Sequence, residues 1–142
     1  MSTPTIRLLI TGALLLHGLG HGGALGALAY VGRGRDGGAW RAARTWLLPT
    51  LPQRTATVVA STFWVLSLIG FVAAAMSFWG ILIPAEAWRT LALISACISG
   101  LGIVLFFGTW PMFNTLAALA MNVGVLVTQL WTHWPPADMF GR

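Results

Sequence analysis

Lysine is absent from the 142 residues, acidic side chains number three (Asp36, Glu86 and Asp138), and Cys97 is the single cysteine. Each scarcity excludes something. Charged residues make up 8% of the chain, against about 25% in soluble domains, so there are too few to cover a water-facing surface. One cysteine forms no intrachain disulfide and no C-x-x-C, which removes membrane thiol oxidoreductase chemistry. No Asp, Glu or Arg lies deep inside an apolar block, so a proton-coupled exporter with an embedded carboxylate, or a voltage sensor, lacks its working group. A Ser-His-Asp arrangement, a phosphate-binding Walker loop and a dinucleotide fingerprint are missing too, and the reading is of a protein that is not an enzyme.

What is present is apolar: 57% hydrophobic residues, eight tryptophans and a mean hydropathy of +0.81. The class is integral membrane protein. Uncharged gaps of 25 residues (Arg7 to Arg33), 31 (Arg54 to Glu86) and 48 (Arg89 to Asp138) mark the spans, because a charge at the bilayer centre costs roughly 2.5–3.5 kcal/mol. A crossing needs about 20 residues. The first two gaps therefore hold one helix each. The third holds two, divided at Trp110-Pro111. The expectation is an all-α integral membrane fold in one domain, 1–142, a four-transmembrane-helix bundle with helices at about 5–30, 55–79, 85–109 and 111–133. Pro84 and Pro111 stand where helices begin, a position that costs proline nothing. The short link between the last two helices makes them an antiparallel hairpin.

Ala27-Leu28-Ala29 has the form of a signal-peptide cleavage site. The weak basic start, two histidines in the apolar stretch and the Arg-rich segment that follows argue for a retained span. Five of the eight arginines (Arg33, Arg35, Arg41, Arg44, Arg54) fall in loop 31–54, which places that loop in the cytoplasm of an inner-membrane protein. Both termini and 84–88, with Arg7, Arg89 and Arg142, then lie outside. Within the loop, residues 39–48 read as a short amphipathic helix on the membrane surface, with Trp40 and Trp46 at headgroup level and Arg41 and Arg44 toward anionic lipid. Lipid, not nucleic acid, is the expected counter-charge for the pI of about 11.5. Trp79, Trp88, Trp131 and Trp134 outside, and Trp40, Trp46 and Trp110 inside, read as aromatic belts; Trp64 sits deeper, as a packing residue.

The sharpest signal lies in the first helix. Gly18, Gly22 and Gly26 repeat at four, a small-xxx-small face for helix packing. His17 and His21 are also four apart and project from one side. Two such imidazoles can hold one metal, although the zincin motif adds a Glu and a third ligand that this chain lacks. His133, the remaining histidine, falls at the outer end of the last helix, roughly 16 Å away in depth. Ser67, Ser95, Ser99 and Asn122 fall at about the depth of His17 and form a candidate polar layer, either fixing helix register or building a site.

Gly22-Gly23-Ala24-Leu25-Gly26-Ala27-Leu28-Ala29-Tyr30 resembles the first helix of small fluoride channels. Ala29 stands where that family has arginine, and the second-helix asparagine and third-helix G-G-x-T-T-F-S break are missing, so fluoride conduction is rejected. A longer stretch of residues takes in His17-Gly18-Leu19-Gly20-His21, Phe63-Trp64-Val65-Leu66 through Gly70-Phe71-Val72-Ala73-Ala74, Trp88-Arg89-Thr90-Leu91-Ala92-Leu93 with Ser99, and Asn122. It resembles a group of bacterial four-span proteins of unassigned function, similar to DoxX-type membrane proteins, and implies the four-helix fold.

Three functions follow as expectations. The first is a non-catalytic accessory or assembly subunit that packs through its glycine face onto itself or a larger membrane complex. The second is a module holding a metal, a haem or a quinone, with His17 and His21 as metal or cofactor ligands and Ser99 and Asn122 in support. The third is a small-solute channel or transporter.

Overall fold

The computed structural model describes residues 2–139; Arg142, assigned above to the outer side, lies outside the described residues. Four long helices, α1 (Thr3–Gly32), α2 (Gln53–Phe78), α3 (Trp88–Leu105, entered through a 3-10 turn at Ala85–Ala87) and α4 (Met112–Leu130), form the architecture. All four are long and apolar enough to cross a membrane. Helix is what hydrocarbon demands, since it satisfies every backbone polar group within its own segment. Pro52, Pro84 and Pro111 each precede a helical segment with φ −54°, where a missing N–H leaves nothing unpaired.

Two helices stop earlier than the charge gaps predicted. α3 ends at Leu105, not 109, because the chain turns through Gly108 at φ 86°, a left-handed conformation that glycine adopts freely. α4 ends at Leu130, not 133. His133 takes φ 49°, and Pro135-Pro136 beyond it cannot continue a helix.

Successive helices are neighbours: α1 packs on α2, α2 on α3, and α3 on α4. α2 and α3 approach closely at two glycines, Gly70 of α2 against Ser95 and Gly102 of α3 against Phe63 and Trp64. A Cβ on Gly102 would lie 2.8 Å from Phe63 Cβ and 2.9 Å from Trp64 Cζ3, so only a hydrogen there lets α3 settle against α2. Two apolar clusters fill the bundle. Trp64, Ile103, Phe106 and Trp110 lie toward the arginine-rich end, and Leu14, Phe71, Phe78 and Trp88 toward the end that holds the termini.

The segment 39–48 is not the expected surface helix. It runs as irregular chain with a turn, a bend and no helix, across the bundle end. Several of its polar groups pair with the bundle: Arg41 N–H donates to Thr109 O (3.1 Å), Trp46 Nε1 to Val104 O (2.7 Å), and Ala43 O accepts from Gln53 Nε2 (2.7 Å). Ala43 and Thr45 are buried beneath it.

The aromatic belt also needs correction. Trp46 (63% exposed), Trp131 (83%) and Trp134 (41%) face outward, but Trp88 (1%) and Trp110 (8%) are core residues. Trp88 meets Phe78 edge to face at 5.0 Å. Trp40 is half-buried and sets its ring edge-on to Trp110, 6.2 Å between centroids.

Candidate functional site

Helical spacing puts His17 and His21 one turn apart on α1 with ring centroids 5.1 Å apart. From that pair a chain of side-chain hydrogen bonds runs across three helices. His17 Nε2 meets Asn122 Oδ1 of α4 at 2.8 Å, Asn122 Nδ2 donates to Ser99 Oγ of α3 at 2.8 Å, and Ser99 Oγ meets His21 Nε2 at 2.9 Å. All four side chains are buried. The sequence had placed His17, Ser99 and Asn122 at one depth, and the fold joins them. Ser67 and Ser95, also assigned to that layer, stay outside it, because their hydroxyls donate to Phe63 O and Leu91 O of their own helices.

The donor and acceptor inventory fixes the polarity of the chain. For neutral imidazoles, Asn122 Oδ1 only accepts, so His17 Nε2 carries the proton and its Nδ1 keeps a lone pair. Ser99 accepts from Asn122 and donates its hydroxyl proton to His21 Nε2, so the His21 proton sits on Nδ1. Turning the Asn122 amide over reverses every bond without breaking one. In either polarity one imidazole offers a free N–H and the other a free lone pair.

The walls are aromatic. Phe71 lies edge to face on His17 at 4.4 Å, and Trp64 stacks on His21 at 5.7 Å with planes 16° apart. Trp110 closes on both His21 (5.3 Å) and Trp64 (4.7 Å). Three nitrogens in this ring cluster, His21 Nδ1, Trp64 Nε1 and Trp110 Nε1, are enclosed without a hydrogen-bond partner.

Beside the cluster, between α1 and α4, lies a cleft of about 400 Å³ whose lining includes His17, His21, Trp40, Trp110, Phe113 and Met121. A narrower cleft of about 210 Å³ shares Ala13 and Met121 with it and continues toward the termini past Leu14 and Val125. Phe113 is 82% exposed on this face, so in a membrane the cleft opens toward the acyl chains.

The two imidazoles are poorly disposed to chelate an ion, since both Nε2 atoms are committed to Ser99 and Asn122. Among the described residues no three His, Cys, Asp or Glu side chains gather. His133 is held apart at the far end, its Nδ1 on Gln129 O.

Of the glycine face, Gly18 is used inside the chain: its missing Cβ would stand 3.2 Å from Phe71 Cβ and 3.3 Å from Leu68 O. Gly22 faces Leu68 at ordinary contact distance, and nothing lies within 4 Å of Gly26.

Sequence reasoning missed Trp64, Trp110, Phe71 and Trp40 as site residues. Trp64 did carry a signal, being the one tryptophan set deep within a span. The chain matches no protein-family model, no curated protein and no solved structure.

Proposed function

We propose that this chain is a multi-pass inner-membrane binding module whose α1/α4 cleft takes a lipid-soluble guest with a polar head, of the quinone or quinol type. The observation that carries the reading is the His17–Asn122–Ser99–His21 hydrogen-bond chain ending at a cleft with apolar walls. A carbonyl or hydroxyl on such a head would pair with the uncommitted Nδ1 of His17, which is an acceptor or a donor according to which way the amide of Asn122 is turned. Apolar pockets with a few convergent polar groups are the common form of small-molecule sites. The protein positions such a guest and is not itself an enzyme; the arginine-rich loop faces the cytoplasm, by its excess of positive charge.

Assembly through the glycine face is the weaker reading, because α2 already covers Gly18. A metal or haem is less well served, because the hydrogen-bond chain leaves a free lone pair on only one of the two imidazoles, and among the described residues no three His, Cys, Asp or Glu side chains gather. A solute channel has even less to support it, since the polar side chains at mid-depth are spent on one another.

The test is quenching of tryptophan fluorescence in lipid nanodiscs by a short-chain benzoquinone, with Trp64 and Trp110 as reporters. Saturable quenching is expected, and Ala117→Phe, which fills the cleft from an exposed position, should abolish saturation. Quenching that stays linear in quinone, or saturates identically in Ala117→Phe, would refute the reading.

A further inference from the structure

At the arginine-rich end, a second recess of about 410 Å³ separates the first loop from the α3–α4 turn. Arg41, Ala42 and Arg44 form one wall, and Phe107, Gly108 and Thr109 the other. The two walls are fastened by the Arg41 N–H to Thr109 O bond. Three observations give the recess a chemistry. Arg41 spends Nη1 on the carbonyls of Gly38 and Trp40, while no hydrogen bond engages the guanidinium of Arg44 among the described residues. Among the described residues neither guanidinium is paired with a carboxylate; the nearest acid in sequence, Asp36, accepts from Gly38 N–H instead. Thr109 is 2% exposed, yet its Oγ1 has no hydrogen-bond partner.

Two unneutralised guanidinium groups and an orphaned hydroxyl around one recess form a receptor for a tetrahedral oxyanion. Arg supplies forked donors that match phosphate oxygens, and the threonine O–H adds one more. We propose that this recess binds the phosphate of an anionic phospholipid headgroup. Depth and surroundings favour a lipid as the source of that phosphate. The recess lies at the ends of apolar helices, flanked by exposed Trp46, Leu47, Leu48 and Phe107, which offer acyl chains an apolar shoulder while the headgroup sits among the arginines. This site is separate from the α1/α4 cleft and stands whether or not that cleft takes a quinone.

The experiment is native mass spectrometry of protein released from nanodiscs containing phosphatidylglycerol and phosphatidylcholine, counting the lipids retained. The comparison covers the unaltered chain, Arg41→Gln with Arg44→Gln, Thr109→Val, and Arg33→Gln with Arg35→Gln as a control of equal charge change. Retention of phosphatidylglycerol over phosphatidylcholine is expected. It should fall at least about tenfold further without Arg41 and Arg44 than in the control of equal charge change, through the lost charge-assisted bonds to phosphate, and fall less in Thr109→Val. Equal losses in both double variants would mean diffuse attraction to the loop, and unchanged retention without Arg41 and Arg44 would mean no site; either overturns the proposal. Added inorganic phosphate should leave the lipid in place, and its displacement of the lipid would identify free phosphate as the ligand instead. If the Arg41 and Arg44 variant does not fold, Thr109→Val decides, since retention equal to the unaltered chain would overturn the proposal.

Discussion

Replacing Asn122 by leucine keeps the branched outline of the side chain and removes both central bonds of the chain, the one to His17 and the one to Ser99, each 2.8 Å long. Interhelical hydrogen bonds in membrane bundles are worth about 0.6 kcal/mol on average and up to ~1.7. Two of them give an expected loss of about 1–3 kcal/mol. The low end applies if the freed His17 and Ser99 turn to backbone carbonyls, the high end if they stay buried and unpaired. The assay is reversible unfolding in mixed detergent micelles, followed by far-ultraviolet circular dichroism. Ser67→Ala is the reference: Ser67 is equally buried but bonds only its own helix, and its loss should be close to neutral. A double-mutant cycle of Asn122→Leu with His17→Phe should show about 0.6–2 kcal/mol of coupling. Asn122→Leu as stable as Ser67→Ala, or a coupling of zero, would show that the chain does not hold α4 to α1 and α3.

Gly18→Leu should destabilise the bundle by about 1–3 kcal/mol through overpacking against Phe71 and Leu68, whereas Gly26→Leu, with open space around it, should be neutral in the same unfolding assay. The reverse order would return the glycine face to an intermolecular role. Arg89 donates to the carbonyls of His133 and Pro135 and so fastens the chain beyond α4. Arg89→Leu should speed amide exchange across 131–139 roughly tenfold, about 1.4 kcal/mol of lost charge-assisted bonding, and unchanged exchange would contradict that role.

The spans were legible because burial in lipid is enforced residue by residue: an uncharged gap has to be a crossing. Depth was legible on the same ground, which is why His17, Ser99 and Asn122 could be grouped before any helix was rotated into place. Rotation about the helix axis was not. Ser95 and Ser99 stand one turn apart on α3, and only packing decides that Ser99 meets Asn122 while Ser95 turns back to Leu91. Trp88 and Trp110 failed for the same reason, since nearness to a helix end says nothing about which side the indole faces. The supposed surface helix failed differently. Its alanines and arginines favour helix locally, but backbone and side-chain bonds to the α3–α4 turn and to Gln53 hold the segment in a non-helical course.

Because each helix leans chiefly on the one before it, the bundle can be built in the order of synthesis, one hairpin at a time. The bond between His17 and Asn122 is different: its partners are 105 residues apart, the first helix waiting for the last. Without α4, the imidazole of His17 lacks its Asn122 partner. The arrival of Asn122 closes the bundle and completes the polar end of the cleft in one event, so a chain truncated before α4 would have three helices in place and no site.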